Sequence, residues 1–241
     1  MEFHIGTSGW HYDHWKGVFY PEGLAKSAWL GYYAEHFSSV ELNNSFYRLP
    51  SEKAFTGWKD STPDEFVFSV KASRYITHIK RLKGMAGSVF SLMERAELLG
   101  DKLGPVLFQL PKGMKQDCQA LDDFLKILPA KRQNVFEFRD DSWLDEKVYE
   151  LLRRYNAGFC IYNMPDFTTP VIATSDFAYT RFHGSNQLYS GNYSENELEY
   201  WAGKISDLKV KTVYAYFNND IGGFAPKNAQ MLRTLLEGNP T

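Results

Sequence analysis

The sequence predicts an α/β protein built as a single (β/α)8 TIM-like barrel, irregular around its sixth βα unit. Three observations carry this reading. Eight short apolar runs, rich in β-branched and aromatic residues, alternate with amphipathic stretches, the order that a parallel sheet with crossover helices requires. The 241 residues match the roughly 250 of one such barrel and contain no linker, repeat or low-complexity stretch, so residues 1–241 read as one domain. Charged and amide residues recur at the downstream ends of the apolar runs. A buried parallel strand has no reason to end in a charge unless that end faces a site, and in these barrels the site lies at the C-terminal ends of the strands.

The elements follow in order. Strands are expected at about 3–8, 38–43, 65–71, 105–110, 133–139, 157–162, 177–182 and 210–217. Helices are expected at about 27–36, 51–60, 88–100, 117–128, 142–155, 195–207 and 226–237. Ser51, Ser142 and Ser194, the last with Glu197 three residues on, read as N-caps or a capping box, and Pro226 fits a first helical turn. Residues 163–176 carry two prolines and β-branched residues, so the sixth helix is expected to be short or absent. Residues 74–87 read as a basic loop.

Composition narrows the function classes. With 27 basic and 29 acidic residues the net charge is −2, without the bulk basic signature of a nucleic-acid protein. Two isolated cysteines, Cys118 and Cys160, form neither a disulfide framework nor a metal knuckle, which points to a reducing cytoplasm. The N-terminus has no basic and apolar leader, and no apolar run approaches the roughly 20 residues of a membrane span.

Side chains alternate between strand faces, so Glu41 shares a face with Asn43, Ser69 with Lys71, Glu137 with Arg139, and Arg181 with His183. If that face is the interior, these groups converge on the barrel mouth with Gln109 and Asn218; the alternative is ion pairs tying strands together. Glu41 and Glu137 are the acid/base candidates, which could serve glycoside hydrolysis, or could instead be pinned by neighbouring cations. Lys71 is either a Schiff-base nucleophile or an anion contact. His183 is a candidate general acid or base. Glu41, Glu137 and His183 could hold a divalent ion, but no paired-histidine or cysteine–histidine motif is present, and neither metal nor cofactor is expected.

The glycine-bearing loops 183–192 and 218–223 fit phosphate binding or simple turn chemistry. Trp10 and Tyr47, among the aromatics crowding the first two loops, could stack on a sugar or base, or plug the rim.

The motifs in sequence order resemble a known family. Gly6-Thr7-Ser8-Gly9-Trp10 with Tyr12, Trp15-Lys16-Gly17 and Phe19-Tyr20-Pro21 is similar to the opening of the domain-of-unknown-function 72 (YecE-like) family. The likeness continues through Glu41-Leu42-Asn43-Asn44-Ser45-Phe46-Tyr47 with Pro50, Phe66-Val67-Phe68-Ser69-Val70-Lys71 and Gln109-Leu110-Pro111. It ends with Glu137-Phe138-Arg139 and Ser142-Trp143, Arg181-Phe182-His183-Gly184 and Tyr216-Phe217-Asn218-Asn219-Asp220. One departure is Ser45, where the family is associated with threonine. The resemblance implies a (β/α)8-like barrel of bacterial or archaeal type and supplies no activity.

The expectation is therefore an enzyme of hydrolase, isomerase or lyase type, acting on a small polyhydroxylated or anionic, phosphorylated substrate. Glu41 and Glu137 would be the acid/base pair, with His183 and Lys71 also catalytic. Trp10, Asn43, Tyr47, Gln109, Arg139, Arg181 and Asn218 would bind substrate. The rival readings are nucleic-acid binding through the basic 74–83 segment and the aromatic first loop, and a non-catalytic small-molecule binder.

Overall fold

The computed structural model describes residues 1–238. Strands β1 (Glu2–Ser8), β2 (Ser39–Leu42), β3 (Val67–Lys71), β4 (Leu103–Gln109), β5 (Asn134–Glu137), β6 (Gly158–Met164), β8 (Phe177–Phe182) and β9 (Thr212–Phe217) are all parallel. The two-residue β7 (Phe167–Thr168) turns back antiparallel on β6. The spatial order is β5-β4-β3-β2-β1-β9-β8-β6-β7, and pairing of Val135 with Gly158 and Phe136 with Phe159 joins β5 to β6 and closes the ring. The result is a closed eight-stranded parallel barrel with surrounding helices.

The helices are α1 (Trp29–His36), α2 (Asn44–Tyr47), α3 (Glu52–Asp60), α4 (Ala86–Ala96), α5 (Cys118–Ile127), α6 (Glu146–Arg154), α7 (Glu195–Ser206) and α8 (Phe224–Glu237). Each longer helix buries one stripe at the 3.6-residue period, as α4 does with Val89, Leu92, Met93 and Ala96, and α7 with Leu198, Trp201, Ala202 and Ile205. These stripes and the outer strand faces make the main core. A separate inner cluster of Leu107, Val135, Cys160, Phe177, Tyr179, Tyr214 and Tyr216 packs the barrel lumen below the mouth.

Local signals place most boundaries. Ser51 accepts from the Ala54 N–H, and Ser194 forms a full capping box with Glu197. Ser142 does not cap α6: it lies in a short 3-10 turn, its hydroxyl donating to Asp140 Oδ1 at 2.7 Å and accepting from the Gln116 N–H at 2.9 Å. The cap is Asp145, which accepts from Lys147 N–H at 2.8 Å, so the helix starts three residues later than the serine suggests. After β6 there is no helix: Thr169 and Thr174 accept hydrogen bonds from the N–H groups of Tyr162 and Phe159 and lay the segment along the strand. Residues 74–83 are less loop-like than expected, because Tyr75–Ile79 forms a π-helical turn anchored by buried Ile76 and Thr77. Both cysteines are free thiols, and no helix among the described residues is long and apolar enough to cross a membrane.

Candidate functional site

Strand register brings the inward polar residues to one level. Ser8 lies beside Glu41, Glu41 beside Ser69, Gln109 beside Glu137, and Arg181 beside Tyr216. Below them Tyr216 bridges the hydroxyls of Ser39 (2.5 Å) and Ser69 (2.8 Å), forming a polar layer over the packed lumen.

Arg181 is the centre of the upper layer. It is 1% exposed and spans the two glutamates, both fully buried, with Nη2 2.8 Å from Glu41 Oε1 and Nη1 2.6 Å from Glu137 Oε2. Glu41 also accepts from Ser8 Oγ at 2.7 Å and from the Tyr179 hydroxyl at 2.6 Å. Glu137 Oε1 accepts from Gln109 Nε2 at 2.9 Å and pairs with Arg139, a contact of charge rather than an aligned hydrogen bond. A buried carboxylate stays charged only with such partners. Burial alone would raise the Glu137 carboxyl, but Arg139 and Arg181 outweigh it and hold the group well below the usual range. Burial pulls the Arg181 guanidinium down, while Glu41 and Glu137 reverse this and keep it firmly protonated.

His183 is fully buried, and burial followed by the charges of Arg139 and Arg181 pushes its pKa well down, so the ring is neutral. Its tautomer follows from its neighbours. Arg139 Nη2, 2.8 Å from Nε2, can only donate, so Nε2 accepts and the proton sits on Nδ1. Nδ1 lies 3.1 Å from the Asn218 amide, whose carbonyl oxygen must then be turned toward the ring. The Arg139 guanidinium also stacks 4.6 Å above the Tyr162 ring.

Lys71 stands at the edge of this network. It is partly exposed, its Nζ lies 4.5 Å from the centroid of Phe46, and that ammonium makes no hydrogen bond or ion pair with any described residue. Burial, followed by the charge of Arg181, lowers its pKa to about 8. Trp10 and Asn43 line a cavity of about 420 Å³ beside the mouth with Gly9, Tyr12, Asn44 and Trp58. The buried Oδ1 of Asn43 has no hydrogen-bond partner among the described residues. Tyr47 is 74% exposed and packs edge-on against Phe46, apart from the network.

The structure thus joins Glu41, Glu137, Arg139, Arg181, His183, Gln109 and Asn218 into one cluster, with Lys71 at its margin and Tyr47 outside. Ser8 and Tyr179, which sequence reasoning did not single out, complete the Glu41 shell. Tyr179 precedes Arg181 by two residues, so the alternation that selects the arginine selects the tyrosine as well. Among the described residues no three His, Cys, Asp or Glu side chains are arranged to hold a metal ion.

Two other features are absorbed by packing. Trp15 and Tyr20 of the first loop are buried, Tyr20 stacking on Trp29 at 4.6 Å and donating to the Trp10 carbonyl at 2.5 Å. The glycine-bearing loops are laced to each other by Asn219 Nδ2, which donates to the Gly191 carbonyl at 2.8 Å and to Asn228 Oδ1 at 2.8 Å.

The family model "Protein of unknown function DUF72" matches residues 4–241. The chain belongs to the DUF72 family. A curated DUF72 relative is UPF0759 protein YunF of Bacillus subtilis, 29% identical over 97% of this chain and 94% of YunF. UPF0759 protein YecE of Escherichia coli K12 is 30% identical over 56% of this chain and 48% of YecE. Among solved structures, the DUF72 protein TM1631 of Thermotoga maritima superposes with a TM-score of 0.90 at 33% identity, covering 98% of this chain and 100% of its own. The DUF72 protein EF0366 of Enterococcus faecalis, at 19% identity, shares the fold with a TM-score of 0.84 over 99% of this chain and 98% of its own.

Proposed function

We propose that this DUF72 protein is an enzyme of hydrolase, isomerase or lyase type whose substrate is a small polyhydroxylated or anionic, phosphorylated compound held at the C-terminal mouth of the barrel. The observation that carries this reading is the chain of charges at the strand ends, buried Glu41, Arg181 and Glu137 continued by partly exposed Arg139. Folding does not require three desolvated charges there, since burying them costs more than an apolar filling of the same volume. Sites that stabilise developing charge need fixed dipoles and ions of this kind.

In this reading Glu41 and Glu137 exchange protons with the substrate, Glu137 starting as the base because it is held ionised. Neutral His183, its Nε2 accepting from Arg139, orients that guanidinium toward the substrate. Arg139, Arg181 and Lys71 meet substrate anions, while Gln109, Asn218 and Asn43 meet hydroxyls and Trp10 and Tyr47 offer ring faces. The placement of Arg181 between the two glutamates argues against glycoside hydrolysis, in which the scissile bond lies between the carboxylates. Isomerase or lyase chemistry fits better.

The test is turnover on a panel of sugar phosphates and small organic anions. Glu41→Gln and Glu137→Gln should each lower kcat by about 10²-fold or more with the circular dichroism spectrum retained. Undiminished turnover in both would sink the reading.

One observation favours nucleic acid as a second reading. The rim loops after β2, β3 and β4 carry exposed Arg48, Arg74, Lys80, Arg81, Lys83, Lys112 and Lys115 against Asp117 alone. Burial of Trp15 and Tyr20 takes two of the first loop's rings out of reach of a base, while Tyr12 and Phe19 stay partly exposed. Were it correct, single-stranded DNA would bind with strong salt dependence, and Arg81→Ala with Lys83→Ala would together reduce the slope.

A further inference from the structure

Lys71 is the only lysine in any of the nine strands. Its position, two residues after Ser69, puts it on the inner face, since Ser69 Oγ meets Tyr216 inside the barrel. The other charges of the mouth are mutually tied: Glu41 to Arg181, Glu137 to Arg181 and Arg139, and Arg139 to His183. Lys71 has an aromatic face at 4.5 Å instead of a counter-ion, and it remains partly open to solvent. A lysine serving only to neutralise the cluster would touch one of the two buried carboxylates. This one is instead set against an aromatic ring and largely desolvated, which is one way a lysine becomes a nucleophile.

We propose that Lys71 is a Schiff-base lysine, and that the substrate it takes is an anionic aldehyde or ketone. The inference rests on the reading of the mouth as a small-anion site and adds the carbonyl group. The Nζ lone pair attacks the carbonyl carbon, forming a C–N bond while the oxygen gains a proton, and the nitrogen loses one to give a carbinolamine. Loss of that hydroxyl as water, assisted by a proton, leaves the C=N iminium. Hydrolysis reverses each step, so no oxidant or co-reactant is consumed. The iminium draws electrons from an adjacent C–H or C–C bond, the bond an isomerase or lyase must break. Burial and the neighbouring guanidinium charges bring the amine to about 8, so roughly a quarter is unprotonated near pH 7.5, against about a thousandth for an ordinary lysine.

Pyridoxal 5′-phosphate, an anionic aldehyde, is the probe. The intact protein is incubated with it near pH 7.5, reduced with borohydride and mapped by peptide mass spectrometry, with non-covalent binding measured in parallel by fluorescence before reduction. Lys71 should be modified at least about tenfold faster than exposed Lys131, with a rate that rises through pH 8, and Lys71→Arg should lose that adduct while keeping the circular dichroism spectrum. Saturable binding that inorganic phosphate competes away, with Lys71 labelled no faster than Lys131, would overturn the Schiff base and leave the anion site standing. Absence of both saturable binding and selective labelling would overturn the two together.

Discussion

Arg181 shows what one residue does in this barrel. A single guanidinium, 1% exposed, satisfies an oxygen on each of two buried glutamates. Its planar fork is what permits both contacts at once, and an ammonium could not make them in that geometry. Removing one partner of such a set leaves uncompensated buried charge. Arg181→Met should therefore cost about 3–5 kcal/mol of stability. The same substitution in a Glu41→Gln, Glu137→Gln background should cost markedly less, because no bare carboxylates remain. Urea unfolding of the four proteins measures this coupling, and equal costs in both backgrounds would contradict the network. Strand alternation made the members of this cluster legible in sequence, since Glu41, Glu137, Arg139, Arg181 and His183 all end apolar runs. It could not show that Arg181 bridges the pair, because a period of two assigns a face and not a partner across the lumen.

At the scale of the element, close strand approach is the main constraint on β1. A Cβ on Gly6 would lie 2.0 Å from the Ser39 carbonyl oxygen and 2.8 Å from the Tyr33 hydroxyl. That oxygen belongs to the neighbouring strand and cannot swing away. Gly6→Ala should destabilise by about 3 kcal/mol or prevent folding. Gly31 in α1 meets nothing within 4 Å, so Gly31→Ala should instead stabilise by about 0.5–1 kcal/mol. Thermal melts of the two variants should move in opposite directions. Strands and helices were readable because periods of two and 3.6 persist over their length. The start of α6 was not, because Ser142 and Asp145 are both competent caps and only the tertiary contact to Gln116 claims the serine. The rings of Trp15 and Tyr20 are likewise ambiguous in sequence, since an aromatic that plugs a rim and one that stacks on a ligand have the same composition.

Across the whole molecule, the buried titratable groups set a pH profile of stability. Burial, followed by the mouth guanidiniums, holds His183 neutral well below its usual 6.5, and burial lowers His4 and His78 as well. Below 6.5 the unfolded chain takes protons that the native state refuses, so stability falls as the pH drops. Glu137, held ionised by Arg139 and Arg181 despite its burial, adds a further loss once the pH passes below 4.5. At the alkaline end Lys71 acts in the same direction. Its pKa of about 8 against 10.5 unfolded makes stability rise with pH across that window. Above 10 the trend reverses, because burial keeps Tyr179 and Tyr216 protonated while the unfolded phenols ionise. The slopes, not the absolute values, identify the groups. Between about pH 6.5 and 5.5 His183 alone should account for about 1 kcal/mol of lost stability. His183→Gln is expected to flatten that limb by about this amount in urea melts taken at each pH, whatever it does to stability at pH 8. An unchanged slope would mean that the buried ring takes up its proton in the folded barrel, and that Arg139 does not hold it neutral.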